Sequence, residues 1–494
     1  MNVNKTIYLL FTASILFISC AKDEADVSNN LTTNGEKQAL VTKDLEVEDF
    51  IYTGMNDIYL YKAEVAALGD SYFSTEEYKM DYLAEAGSPE NLFKKLKYSQ
   101  DRFSFLTDDY DALEESFKGI SSSTAGMNFG LGRITGTDNI FAFLQYVVSN
   151  TPADDAGLTR GTVFTEVNGQ QLTEDNFSQL LSTGPFTINI GRIENGTLIM
   201  TDETVTLSHL EYTENPILIA KTLDVEGQKI GYLMYNSFIG DFDDELNDAF
   251  AEFKSQSVTD LVLDLRYNGG GSVESAVDLA SMITGQFEGD IFMKEQWNEK
   301  YQAYFESENS ESLINRFNPQ IRTNELINSL NLNRVIILTS TRTASASELV
   351  INGLEPYIDV VQIGETTTGK FQASVTLYDS PDYGKEEANP NHTYAVQPLV
   401  FKSANAAGKS DYINGLVPDV QYSENLNNLG TLGDTSEPLL KLALSYITGE
   451  PIDIQSAARA RDMDNFRIIG ESGMNDVNYQ KMYIDKLPAG LRRK

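Results

Sequence analysis

The chain has 494 residues, 41% of them hydrophobic and 10% aromatic, enough for two or three packed domains and not the composition of a disordered protein. A formal net charge of −36 argues against nucleic acid as a partner and against electrostatic adhesion to an anionic membrane surface. With one cysteine, Cys20, no internal disulfide can form.

The first residues read MNVNKTIYLLFTASILFISCAKDEAD. Lys5 gives a positive end, and Thr6 to Ser19 form an apolar run too short to cross a bilayer as a helix. The run closes on Cys20 behind Phe17-Ile18-Ser19, and this resembles a bacterial lipoprotein signal, with Phe17 where leucine is commoner. The resemblance implies cleavage before Cys20, lipidation of its thiol, and an anchor in the cell envelope, expected at the outer membrane. Ala21-Lys22-Asp23-Glu24 is similar to a short acidic signal that takes some Bacteroidetes lipoproteins to the cell exterior. A plain signal peptide with an accidental cysteine is the alternative. Residues 1–19 are thus expected as signal peptide and 20–45 as a polar, lipidated tether.

From 46 to 113 the spacing of Phe50, Ile51, Met55, Ile58 and Tyr59 is helical, and STEEYKMDYLAEAG reads as a second helix capped by Ser74 and ended by Gly87. A small helical domain is expected there. From 114 to 212 the pattern becomes short strands and glycine turns, with Pro152 and the hairpin signal Asn168-Gly169. The order of Gly-Leu-Gly, Pro-Ala-x-x-Ala-Gly-Leu and Val-Asn-Gly resembles a PDZ domain. That resemblance implies a carboxylate-binding loop at Gly130, Leu131 and Gly132, with a peptide adding as a strand to the sheet edge. A hairpin with ordinary glycine turns is the plainer alternative.

From 213 to 449 apolar strands alternate with amphipathic helices. KIGYLMYNSF, DLVLDLR, RVIILTS and VVQIG read as strands; DDELNDAFAEFKSQ, SVESAVDLASMITG and ASELVINGLE read as helices. The fold class is therefore α/β and multidomain, with mostly parallel pairing in its core. Residues 450–494 break this rhythm and are expected as an appended tail.

The stretch GETTTGKF, Gly364 to Phe371, fits seven positions of a phosphate-binding loop. Such a loop needs Ser or Thr after the lysine and then a helix; here Phe371 follows, and QASVTLY has strand alternation. A nucleotide is therefore not expected. Lys370 has a second reading through STRTASASELV, which places Ser345 where a strand turns into a helix and exposes a hydroxyl beside first-turn amides. A serine needs a base. The two histidines, His209 and His392, have no motif around them, whereas a desolvated lysine can serve. Taken singly, a serine before a helix is more often a cap, a loop lysine is more often solvated, and NGGG is more often a turn.

In combination, DLRYNGGG (Asp264 to Gly271), SASE (Ser345 to Glu348) and TTGK (Thr367 to Lys370) resemble the C-terminal processing, or tail-specific, serine peptidases. Lys370 follows Ser345 by 25 residues, which matches that family's spacing and favours Ser345 over Ser347. The resemblance, running from about Val47 to Gly449, implies a ClpP/crotonase-like α/β peptidase core carrying a PDZ domain. It makes Ser345 the nucleophile and Lys370 the general base, with the amides of Ala346 and of one glycine in Gly269 to Gly271, Gly270 foremost, as oxyanion hole. Glu348, Thr367 and Gln372 take supporting places. Two positions depart from the family pattern: Ser374 stands where many relatives have glutamine, and Pro356 where some have an acid. The implied function is an endopeptidase that captures protein or peptide C-termini and cleaves unstructured segments, with no cofactor, metal or nucleotide. The alternative is a catalytically silent peptide-binding scaffold on the same fold.

Overall fold

The computed structural model describes residues 45–182, 184–451, 465–476 and 479–488. Residues 1–44, with Cys20 and the segments expected as signal peptide and tether, and the arginines at 459, 461, 492 and 493 lie outside the described residues.

Helix α1 (Glu46–Ile58) opens the described chain with Glu46, Glu48 and Asp49 in its first turn, where acids favour the helix dipole. Phe50, Ile51, Met55 and Ile58 line its buried face. In α2 (Glu76–Ala84) the cap is Thr75, one residue after the expected Ser74, because the Thr75 hydroxyl accepts the Tyr78 N–H at 3.1 Å. Helix α3 (Pro89–Leu96) is capped by Ser88 with proline in its first turn. The buried faces of these helices join the same apolar cluster as Leu233, Leu263, Ile337 and Leu349 of the core. The strand Phe105–Thr107 is paired antiparallel with Ala395–Gln397. The helical segment is thus built into the core.

The β-rich region contains β1 (Met127–Ile134), β2 (Ile140–Val147), β3 (Phe186–Glu194) and β4 (Thr197–Leu207), packed around Leu131, Ile140, Leu144, Phe164 and Ile188. Here the structure corrects one expectation. Gly130, Leu131 and Gly132 are not a loop; they are the middle of β1, paired with β2 on one side. Their glycines serve cross-strand packing, since a Cβ on Gly130 would collide with the Phe143 ring and one on Gly132 with the Phe141 ring.

In the core, β5 (Ile217–Val225) pairs antiparallel with β6 (Gln228–Tyr235). Helix α4 (Asp243–Ser255) leads to β7 (Asp260–Asp264), and the two-residue β8 (Gly271–Ser272) to α5 (Val273–Thr284). Then come β9 (Arg334–Thr339), α6 (Ala346–Leu354), β10 (Asp359–Gly364), β11 (Gln372–Ser374), β12 (Leu399–Asn405), β13 (Val420–Gln421) and α7 (Pro438–Thr448). One sheet runs in the order β5-β6-β7-β9-β10-β13, parallel from β6 onward. Both of its faces are covered, which is why its strands read as continuous apolar runs. Val335 and Ile337 point into the cluster with α4, α5 and α6, while Ile336 and Leu338 meet Leu439, Leu440 and Ala443 of α7. Each such fully buried side chain contributes about 1.5–3 kcal/mol.

The C-terminal segment returns as two strands. β14 (Phe466–Glu471) pairs antiparallel with the free edge of β1, and β15 (Met482–Tyr483) inserts in parallel between β8 and β11. The expected appendage therefore gives one strand to the β-rich sheet and one to a second core sheet, in which β8, β15, β11 and β12 are neighbours.

Candidate active site

β9 delivers the chain through Ser340–Ala344 to Ser345, which precedes α6 with φ +68° and ψ −118°. That left-handed backbone is costly for serine, on the order of 1–3 kcal/mol, and surrounding contacts must impose it. They are present. The Ser345 N–H donates to Oε2 of Glu348 at 2.8 Å, its carbonyl accepts from Leu349 at 2.8 Å, and the Ala344 N–H donates to the Asn268 carbonyl at 3.2 Å. The Ser345 side chain is fully buried and its Oγ has no hydrogen-bond partner. Ser347, the rejected alternative, donates its hydroxyl to the Asn268 carbonyl at 3.1 Å, a structural bond.

Lys370 arrives from β10 through a loop that ends in Gly369, whose φ is +87°. A Cβ there would lie 2.6 Å from the Ile413 carbonyl carbon and 2.7 Å from the Gly415 nitrogen, so only glycine lets the loop turn in. The Lys370 side chain is fully buried, its Nζ unpartnered and 5.0 Å from the centre of the Phe103 ring. Burial holds its pKa well below the ordinary lysine value; Lys481 adds to the effect, and Asp101 and Glu348 oppose it. A strand follows, not a helix, which removes the phosphate-loop reading.

Glu348 ties the two halves together. Oε2 accepts from Ser345 N and Lys370 N, and Oε1 accepts from Gly369 N at 2.7 Å and from the Thr367 hydroxyl. Thr367 in turn accepts the Leu416 N–H at 2.7 Å. Burial raises the Glu348 pKa, and these four donors work against that rise. Glu348 and Thr367 are thus bonded to each other, and Glu348 to the backbones of Ser345, Gly369 and Lys370. Gln372 does not meet the pair: its Nε2 donates to the Tyr61 hydroxyl at 2.8 Å. Ser374, at the family's glutamine place, donates to the Met482 carbonyl at 3.0 Å.

The glycine run brings backbone against the serine. Gly270 has φ +111°, and a Cβ on it would lie 2.5 Å from Ser345 Cβ, 2.6 Å from the Lys481 carbonyl oxygen and 3.0 Å from the Ala346 nitrogen. The expected Gly270 oxyanion donor needs correction: its N–H is held by Oδ1 of Asn268 at 2.8 Å. Ala346 N–H lies in the first turn of α6, where no helical acceptor exists for it.

Several residues of this neighbourhood have distant partners that no local pattern signals. Arg266, fully buried, binds Asp264, Glu437 and Glu424. Arg160, from the β-rich region, donates to the Tyr267 hydroxyl at 2.6 Å and pairs with Glu424. Arg342 pairs with Glu471 of β14. Lys481 donates to the Phe103 carbonyl at 2.6 Å, and Gln480 to the Thr368 hydroxyl at 3.0 Å. The histidines are engaged elsewhere, His209 with the Leu181 carbonyl and His392 with Asp379. A cleft of about 770 Å³ opens beside the glycine run, bordered by Ser121, Met127, Tyr267, Gly270, Tyr479 and Lys481. Among the described residues no cluster of His, Cys, Asp and Glu could hold a metal ion.

The sequence matches the family model of peptidase family S41 over residues 229–420, and that of the peptidase S41 N-terminal domain over residues 46–105. The chain is similar to a Bacteroides fragilis protein assigned to the S41 proteases. That crystal structure gives a TM-score of 0.64 at 28% identity, covering 81% of this chain and 97% of that one. It is 23% identical over 312 residues to a Staphylococcus aureus protein named "Probable CtpA-like serine protease", covering 63% of this chain and 55% of that protein. It is 27% identical over 244 residues to the chloroplastic carboxyl-terminal-processing peptidase 3 of Arabidopsis thaliana, covering 47% of this chain and 43% of that protein. The chain spans about half the length of these curated relatives.

Proposed function

The chain belongs to peptidase family S41, and we propose that it is a serine endopeptidase working through Ser345 and Lys370. The observation that carries this reading is the pair of buried, unpartnered groups, Ser345 Oγ and Lys370 Nζ, whose backbones hang from one carboxylate. Neither the hydroxyl nor the amine is committed to another group of the protein, which leaves both available to the reaction.

In the proposed reaction neutral Lys370 takes the Ser345 proton while Oγ bonds to the substrate carbonyl carbon. The oxyanion accepts the Ala346 N–H; such a donor is worth about 3 kcal/mol to a transition state. Gly270 becomes a second donor only if it releases Asn268. The Lys370 ammonium then protonates the departing amine as the peptide bond breaks, and water, giving its proton to Lys370, hydrolyses the acyl-serine.

Substrates are proposed to be proteins or peptides whose free C-termini add as a strand to the PDZ-like region. That edge of β1 carries the chain's own β14, so a substrate strand would add there by displacing it. Lipidation at Cys20 and an outer-membrane location, with the chain exposed at the cell surface, complete the proposal. Labelling with a fluorophosphonate and cleavage of unstructured peptides test the activity. Wild type should react at Ser345 and Ser345→Ala should do neither, whereas a wild type inert to both would leave the silent scaffold as the reading. Membrane association of a normally processed Cys20→Ala chain would overturn the anchor.

A further inference from the structure

We propose that Lys481, delivered by the C-terminal segment, is a positioning residue for the base: its ammonium, fixed on the Phe103 carbonyl, keeps a second positive charge off Lys370. The inference rests on the Ser345/Lys370 reading above.

Phe103 is the meeting point. Its carbonyl accepts the Lys481 Nζ at 2.6 Å, and its ring faces Lys370 Nζ at 5.0 Å. Both lysines are buried, and neither ion-pairs with an acid among the described residues. Two ammoniums cannot share such a place cheaply, because burial penalises each charge and each repels the other. One proton must go. Each amine faces a ring, Lys481 that of Phe105 at 4.6 Å and Lys370 that of Phe103 at 5.0 Å, but only Lys481 has an acceptor for its N–H. The asymmetry decides which amine stays charged. Lys481 is the cation and Lys370 the free base.

The other charges around the pair do not reverse this. Asp101 and Glu348 face Lys370 and favour its charged form. The Asp101 carboxylate is already bound to the Tyr59 hydroxyl at 2.6 Å and to the amides of Phe103 and Ser104 at 2.8 and 2.9 Å. Glu348 is committed to its four donors. The Arg102 guanidinium lies 4.8 Å from the Phe103 ring, a further positive charge. Asp101 and Lys97 face Lys481 with opposite effects, and burial brings its own pKa down to about 8. Lys481 therefore remains charged at neutral pH and loses its influence only above about 8. The two sites titrate as a coupled pair.

The experiment is the pH dependence of fluorophosphonate labelling at Ser345 in the full chain. In Lys481→Met the rising limb should move up by about one pH unit, with labelling about tenfold slower below it. Lys481→Arg, which keeps the charge, should leave the limb at its wild-type position whatever its rate. A Lys481→Met limb at the wild-type position overturns the proposal, as does a Lys481→Arg limb displaced as far as that of Lys481→Met. Independently of turnover, the Lys370 side-chain resonance, assigned by its loss in Lys370→Arg, should show a second inflection in wild type where Lys481 titrates. A single inflection overturns the proposal even if Lys481→Met does not fold. Absence of labelling in wild type would instead sink the dyad reading, with the resonance still deciding the lysine pair.

Discussion

The backbone N–H groups of Ser345 and Lys370 share a single acceptor atom, Oε2 of Glu348, at 2.8 Å each. Serine and lysine come from opposite ends of the unit formed by α6 and β10, and that oxygen fixes one against the other. The capping position of a helix and the register of Ser345 against Lys370 are here held by the same oxygen.

Glu348→Ala should therefore damage stability and activity together. It strands three buried amides and the Thr367 hydroxyl, at about 1–3 kcal/mol for each unsatisfied donor. We expect a loss of at least about 3 kcal/mol in denaturant unfolding, and at least about 100-fold in turnover from misplacement of the pair. Glu348→Gln, which keeps one acceptor oxygen, should fall between. A Glu348→Ala chain as stable as wild type would show that the carboxylate does not organise the site.

Ser345→Ala should be inactive with unfolding free energy within about 0.5 kcal/mol of wild type, because its hydroxyl makes no bond. Ser345→Gly should be inactive and more stable, by about 1 kcal/mol, since glycine accepts φ +68° without strain. Ser347→Ala should keep its activity and lose about 1 kcal/mol with its bond to Asn268. Turnover lost in Ser347→Ala and kept in Ser345→Ala would exchange their roles.

Lys370 leaves a mark on the pH dependence of stability. The unfolded chain holds its proton up to about pH 10.4, while in the folded chain burial holds the pKa well below that. Between those two values the unfolded state binds the extra proton, so stability falls as pH falls, and the loss is complete below the folded pKa. Lys370→Met should lack this slope, gain stability at neutral pH and be inactive. Equal slopes for wild type and Lys370→Met in urea unfolding from pH 6 to 10 would mean that the amine is solvated.

Gly270→Ala should abolish activity. Its methyl group would stand 2.5 Å from Ser345 Cβ and 2.6 Å from the Lys481 carbonyl oxygen, on a backbone of φ +111°. Overpacking and strain together should cost about 3 kcal/mol or more, read by thermal unfolding. Gly289→Ala, with positive φ but open space around it, should cost no more than about 1 kcal/mol and keep its activity.

What was legible in the sequence is what local chemistry writes there. The strand RVIILT, the turn to Ser345 and the 25-residue step to Lys370 are short-range patterns, and the structure has them. Glycine misled in β1, because Gly130 and Gly132 carry the same letters as a turn but answer to Phe143 and Phe141 across the sheet. Gly270 was legible through the resemblance as an oxyanion amide and not as an engaged one, since the Asn268 bond is a matter of side-chain geometry. Lys481 and Arg160 were illegible for a simpler reason. Their partners, Phe103 and Tyr267, lie far away in the chain, and no periodicity connects such pairs.

The pairing of Gly271 with Met482 joins residues more than two hundred positions apart. A ribosome makes β8, Ser345 and Lys370 long before it makes β15, so the sheet beside the nucleophile stays open throughout synthesis. The lysine that we infer neutralises the base comes with that same late strand. On the proposed reading the site is complete only once residues 482–483 have been made and paired, and a nascent or truncated copy that lacks this strand carries an unfinished site among its unfolded neighbours.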